Sequence, residues 1–213
     1  MKKINSFRPF FLFLGILTVV SLELFYLEQF AGQTETQTGG KDACTYYMET
    51  VDGIFHDLKC FPVAKEEAEG GYPVTYENSW GMERTYGGER RHEGCDLMAK
   101  DNVRGKYQVL SMTDGTVQKI GWLEMGGWRI GILSDTGIYY YYAHLDSYEK
   151  AFEVGERVTA GQVLGRMGDS GYGKEPGTKG KFEVHLHVGI YIRDLTGRER
   201  AVNPYWYLKQ LEI

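Results

Sequence analysis

The chain changes polarity three times along its length. After the basic residues Lys2, Lys3 and Arg8, an uncharged run extends from Pro9 to Leu22 and resumes beyond Glu23 as Leu24, Phe25, Tyr26 and Leu27. As a helix this stretch of about 19 residues reaches about 28 Å, enough to cross a bilayer with Glu23 near the outer interface. The positive charge ahead of it holds the N-terminus in the cytoplasm and sends everything after it outside. Gly32 to Lys41 (GQTETQTGGK) is polar and rich in Gly and Thr, with nothing to bury, and reads as a flexible tether. Between Asp42 and Leu58 the apolar residues Tyr47, Val51, Ile54, Phe55 and Leu58 recur at three- and four-residue intervals, which predicts a short amphipathic helix weakened by Gly53.

From about Cys60 the pattern becomes one of short strands. Asp114–Trp122, Trp128–Ser134 and Gly137–Leu145 are separated by Gly-Gly and Asp-Thr-Gly turn signals and read as consecutive hairpins. Val154–Gly168 holds two strand-like pieces around Ala160-Gly161, Gly168–Lys181 is loop by composition, and Phe182–Ile192 is the strongest single strand. No period of 20 to 50 residues points to a solenoid or propeller. The chain thus divides into a basic n-region over 1–8, a transmembrane signal anchor over 9–30, a tether and short helix over 31–59, and one mainly β, antiparallel domain over 60–213.

Composition agrees with this picture: 28 Gly and 16 Tyr among 213 residues suit strands joined by tight turns. A net charge of −5 with mixed signs argues against nucleic acid as a partner. The positions before Ala31 hold Gln29 and Phe30 rather than the small residues a signal peptidase requires, so the anchor is expected to remain uncleaved, with secretion after cleavage as the alternative. The expected location is the cytoplasmic membrane, single-pass, with the folded domain outside. Of three cysteines, Cys44 and Cys60 could pair and leave Cys95 odd; three free thiols is the alternative.

The five histidines carry the chemistry. His92 and Asp96 form H-x-x-x-D, and His185 and His187 form H-x-H in the last long strand, where residues two apart face the same side. His144 ends the Tyr-rich strand and is expected to share the face of Tyr140 and Tyr142. Hydrolytic zinc takes three ligands from His, Asp and Glu and keeps a position for water, and two imidazoles with one carboxylate meet that count. Spare histidines suit proton transfer. Each piece recurs by chance; their conjunction in this order is far more restrictive. His56 lies outside every motif, Glu93 lacks the H-E-x-x-H helix that would aim it, and Cys95, although beside Asp96, is expected to face away.

The stretches RRHEGCDLMA (90–99), DGTVQKIGW (114–122), YYAHL (141–145), GERVTAGQVLGRMGDSG (155–171) and FEVHLHVGIY (182–191) closely resemble the lysostaphin/LytM-type zinc endopeptidases of bacterial peptidoglycan, from about Phe61 to NPYWYL (203–208). The resemblance implies a compact antiparallel sheet or sandwich with a groove across it, the duplicated hybrid motif. It implies Zn2+ held by His92, Asp96 and His187, with His144 and His185 as the catalytic pair. A tyrosine six residues before the first ligand, here Tyr86, would donate to the developing oxyanion. The implied substrate is a peptide cross-link or stem peptide of peptidoglycan. The alternative is a non-catalytic LytM-like domain that binds the wall or a protein partner in division or sporulation. The GERVTAGQVLG segment also resembles biotinyl and lipoyl carrier domains, but no lysine sits on the hairpin such a carrier would modify. D-Ala-D-Ala zinc carboxypeptidases need a longer His-to-Asp spacing.

Overall fold

Asp42 opens the first helix as its cap: the carboxylate accepts the Thr45 N–H at 2.8 Å, one of the donors a helix start leaves unpaired. The computed structural model describes residues 42–66, 70–86 and 88–212. The anchor expected over 9–30 and the tether after it, to Lys41, lie outside these residues. Among the described residues no helix is long and apolar enough to cross a membrane. Helix α1 (Ala43–Asp57) matches the predicted amphipathic segment and buries Val51 and Ile54. Its C-terminal Asp57 is also buried, accepting from Thr136 Oγ1 at 2.6 Å and Tyr140 Oη at 3.1 Å. Gly53 has a packing reason to be there, since a Cβ would stand 3.3 Å from Ile138 Cδ1.

Twelve strands follow. They are β1 (Val74–Thr75), β2 (Glu83–Arg84), β3 (Arg90–Arg91), β4 (Cys95–Ala99), β5 (Gln108–Leu110), β6 (Gly115–Leu123), β7 (Gly127–Leu133), β8 (Tyr139–Tyr148), β9 (Arg157–Val158), β10 (Val163–Met167), β11 (His185–Arg193) and β12 (Glu199–Val202). Helix α2 (Tyr205–Leu211) closes the chain. Ten strands make one sheet in the order β1-β4-β11-β8-β7-β6-β9, with β12 on β11 and β10 joining β8 to β5; β2 and β3 form a separate hairpin. Every pairing is antiparallel. The mainly β antiparallel expectation holds, and the predicted hairpins are β6, β7 and β8.

The core lies on one face, where Leu97, Val117, Ile130, Ile132, Leu164, Leu186 and Val188 are essentially inaccessible. Tyr142 is fully buried as well and satisfies its hydroxyl by accepting the Met112 N–H at 2.8 Å. Along β8 the tyrosines alternate as expected, Tyr140 and Tyr142 into the core, Tyr139 and Tyr141 toward the other face. His144 breaks this alternation and corrects the expectation that it shares the face of Tyr140 and Tyr142. Its backbone adopts φ +63°, a left-handed conformation rare outside glycine, which shifts the parity of the strand and turns the imidazole to the groove side. All three cysteines are free thiols, so the Cys44–Cys60 pairing does not form.

Candidate active site

Register alone brings most of the site together. β11 runs antiparallel to β4 with His187 opposite Asp96, and to β8 with His187 opposite Ala143, the residue before His144. His185 lies two residues back on the same face. His92 arrives from the segment between β3 and β4, held by backbone bonds to Met82 and Gly81 (both 2.9 Å), and is 3% exposed.

Three donor atoms converge. His92 Nε2 stands 3.1 Å from His187 Nδ1 and 3.1 Å from Asp96 Oδ1, and His187 Nδ1 is 2.9 Å from the same oxygen. Tetrahedral zinc with bonds of about 2.0–2.1 Å sets its ligand atoms roughly 3.3 Å apart, so this triangle needs only a slight opening to hold the ion. His92 Nδ1 has the Ser79 carbonyl and Arg84 Nη2 behind it, each at 3.2 Å, so Nε2 is the nitrogen turned to the centre. Among the described residues this is the only cluster of three or more His, Cys, Asp or Glu with such spacing.

Contacts behind the donors fix their aim. Ser79 Oγ lies 3.0 Å from His92 Nδ1, and Arg84 Nη2 donates to Asp96 Oδ2 at 2.7 Å, leaving Oδ1 for the centre. The His187 ring lies on Gly94, where any Cβ would collide with it. Burial by itself pushes the Asp96 carboxyl up, but hydrogen bonds from His187 and His92 and the nearby imidazoles outweigh it, holding the carboxyl well below the usual range.

His144 and His185 flank the cluster with ring centroids 4.6 Å apart. His144 Nδ1–H donates to the Ser170 carbonyl at 2.8 Å and His185 Nδ1–H to the Glu183 carbonyl at 2.7 Å, so each keeps an unprotonated Nε2. Burial, with neighbouring imidazoles adding to it, drives His144 well below the ordinary histidine range. Burial lowers His185 too, partly offset by Asp96.

The structure therefore brings together His92, Asp96, His144, His185 and His187. Tyr86 stays apart: it stacks on Tyr172 with centroids 4.2 Å apart, its hydroxyl donates to the Tyr172 carbonyl at 2.6 Å, and it does not line the groove. Cys95 points into the core, 1% exposed, its thiol pushed up to about 12 by burial. His56 is exposed on α1. Glu93 lines the groove without joining the donor set.

The groove itself encloses about 880 Å³. Its floor is aromatic: Tyr141 lies 5.9 Å from the His187 ring, and Tyr139 and Tyr191 follow at 6.4 and 6.3 Å from Tyr141. Tyr172 walls the His144 end, and Phe182 packs behind it, 4.7 Å from both the Tyr172 and the His144 rings. Sequence reasoning missed Ser79, Arg84, Ser170, Tyr172 and Phe182. Ser170 and Phe182 stand in quoted motifs, but nothing local marks Ser79 or Arg84, which the chain path alone delivers.

With this geometry in place, the profile of Peptidase family M23 matches residues 90–204. An L-Ala–D-Glu endopeptidase of Bacillus subtilis (strain 168) is 43% identical over 138 residues, covering 65% of this chain and 40% of that protein. The glycyl-glycine endopeptidase ALE-1 of Staphylococcus capitis is 28% identical over 153 residues, 68% of this chain and 38% of that protein. The chain thus spans about two fifths of the length of these curated relatives. A crystal structure of a candidate glycyl-glycine endopeptidase LytM from Ruminococcus gnavus superposes with a TM-score of 0.71 at 48% identity, covering 87% of this chain and 69% of that one.

Proposed function

The chain belongs to peptidase family M23, and from that premise we propose that it is a zinc endopeptidase hydrolysing peptide bonds of bacterial peptidoglycan, in cross-links or stem peptides. The observation that carries this reading is the convergence of His92, Asp96 and His187 on one point beside two neutral histidines. His92 Nε2, Asp96 Oδ1 and His187 Nδ1 would hold the metal. Bound there, zinc supplies Lewis-acid chemistry, acidifying a water and polarising a carbonyl.

The chain's own residues do the rest. His144 and His185, each with its proton parked on Nδ1 against a backbone carbonyl, present Nε2 as the acceptor for a proton lost by an attacking water. The same nitrogen returns that proton to the departing amine. Arg84 holds the Asp96 carboxylate in orientation through Oδ2. The Tyr141–Tyr139 floor gives an extended peptide an aromatic bed leading away from His187. An oxyanion role for Tyr86 requires its hydroxyl to release the Tyr172 carbonyl. The basic n-region and apolar run of the sequence support a reading in which this domain lies outside the cytoplasmic membrane on a single-pass anchor.

Full-length protein in detergent should bind about one zinc per chain, measured by atomic absorption, and release soluble fragments from purified peptidoglycan. His92→Ala should lose both properties, because a two-donor remnant loses most of its zinc affinity. Undiminished wall digestion by His92→Ala would rule the assignment out.

A further inference from the structure

One part of the groove is not used by this chemistry. Arg129, on β7, alternates with the buried Ile130 and faces the groove, as does Lys119 on β6. Neither forms an ion pair among the described residues, whereas Arg84, Arg104, Lys106, Arg157, Lys179 and Arg200 all do. Arg129 Nη1 is buried with no hydrogen-bond partner, an expensive state for a charged donor. Lys119 Nζ sits 5.2 Å from the centre of the Tyr139 ring. Burial pushes the Tyr139 phenol up to about 12, with the nearby Arg129 cation acting against it and Glu199 adding to it.

The groove's charge runs against that of the whole chain, which is −5. Arg84, Arg90, Arg91, Lys119 and Arg129 line it. Its acids, apart from Asp96, are Glu93 and Glu199; both act on Tyr191, and Glu199 on Tyr139 as well. Tyr141, the ring nearest His187 on the floor, feels Arg129. Lys119, over Tyr139, therefore lies within two ring spacings of the site, and Arg129 lines the same groove from β7, the strand paired with β8; a few extended residues at about 3.3–3.6 Å each would cover that distance.

We propose that Arg129, assisted by Lys119, forms an anionic subsite that selects peptides carrying a free carboxylate within a few residues of the scissile bond, over uncharged glycine-type bridges. This rests on the endopeptidase reading above. A carboxylate there would pair with a half-buried guanidinium that has no ion-pair partner among the described residues, so binding breaks no existing ion pair and desolvates the guanidinium less than a fully exposed one.

The test compares three synthetic substrates with zinc-loaded full-length protein: a peptide containing an L-Ala–D-Glu bond with the glutamate carboxylate free, the same peptide with that carboxylate as its amide, and pentaglycine. The acid should exceed the amide in kcat/KM by about tenfold or more, the usual scale of a charge-assisted bond, mostly through KM. Arg129→Gln should bring the two within about twofold of each other, Arg129→Lys should retain most of the preference, and Lys119→Gln should reduce it in part. Arg157→Gln, whose partner Asp135 is an exposed residue outside the groove, should change nothing. Equal cleavage of acid and amide by the wild type, or a preference that survives Arg129→Gln, overturns the subsite. If the wild type cleaves no peptide, the endopeptidase reading fails, and equilibrium binding to chelator-treated protein still decides the subsite. Tighter, salt-sensitive binding of the acid that Arg129→Gln abolishes supports it; equal binding overturns it.

Discussion

Gly94→Ala tests the metal centre without touching a ligand. A Cβ at this position would stand 2.6 Å from His187 Nε2 and 2.7 Å from the Val188 carbonyl, and would also strike His187 Cε1. Ordinary contacts sit at about 3.5 Å or more, so the ring must retreat by roughly 1 Å or β4 must part from β11. The second route is resisted by the register of β11 on β4, which pairs Val188 with Cys95 and His187 with Asp96. The ring therefore moves, and metal–ligand distances tolerate only about 0.2 Å. Zinc affinity should fall at least 10- to 100-fold, the scale seen when support behind a ligand is lost.

The assay is thermal. Ligand at 100 times its dissociation constant stabilises by about 2.7 kcal/mol, which for a domain of this size raises Tm by roughly 5–10 °C. Wild-type protein should show that rise on adding zinc, and Gly94→Ala should show little of it at the same concentration. The metal-free variant should itself melt lower by about 1–3 kcal/mol of overpacking, so the diagnostic quantity is the zinc-dependent increment. A full increment in Gly94→Ala would refute the placement of His187 as a ligand.

Two further outcomes follow from buried groups. Ser170→Ala removes a hydroxyl that donates to the Leu145 carbonyl at 2.6 Å and accepts the Trp128 N–H at 3.0 Å, in the loop whose carbonyl holds His144. It should cost about 1–3 kcal/mol by chemical denaturation and lower kcat more than it raises KM; unchanged kcat would separate Ser170 from the positioning of His144. Alkylation of native protein at pH 8 should label exposed Cys44 and spare Cys95, whose burial keeps it a thiol, until denaturant opens the core. Peptide mapping that found both labelled at similar rates would contradict the buried placement.

How far the sequence foretold this structure depends on how local each cause was. The strands β6, β7, β8, β9, β10 and β11 were legible because each lies in a run of strand-forming residues bounded by Gly turns, and α1 because Asp42 and the 3–4 spacing act within one segment. The two-residue strands β1, β2 and β3 carry no such pattern and exist only because neighbours hold them. In the site, His92, Asp96, His185 and His187 were legible from two short spacings that sheet register preserves. The side occupied by His144 was not, because a single left-handed residue inverts the strand's parity and leaves no mark in the pattern of apolar positions. Arg84 reaches Asp96 across a hairpin, and Tyr86 is captured by Tyr172 from a distant loop, so both placements depend on chain paths that no window of sequence contains.

The high glycine and tyrosine content has a second cause beyond turns. On the groove face, Gly131 and Gly126 lie beneath the Tyr139 and Tyr141 rings, and a Cβ at Gly189 would stand 2.6 Å from the ring of Tyr191, two residues along the same strand face. Three tyrosines come down onto the sheet because three glycines make room, and none of the three glycines needs a left-handed backbone. An aromatic floor is what an extended peptide can lie along, with Arg129 and the metal-ligand cluster lining the same groove. Substituting any of these glycines lifts a ring into the groove, so the strands that build the sheet also set how deep a substrate can lie. Part of what reads as β-sheet composition is therefore the shape of the binding surface, and the sequence encodes the two together.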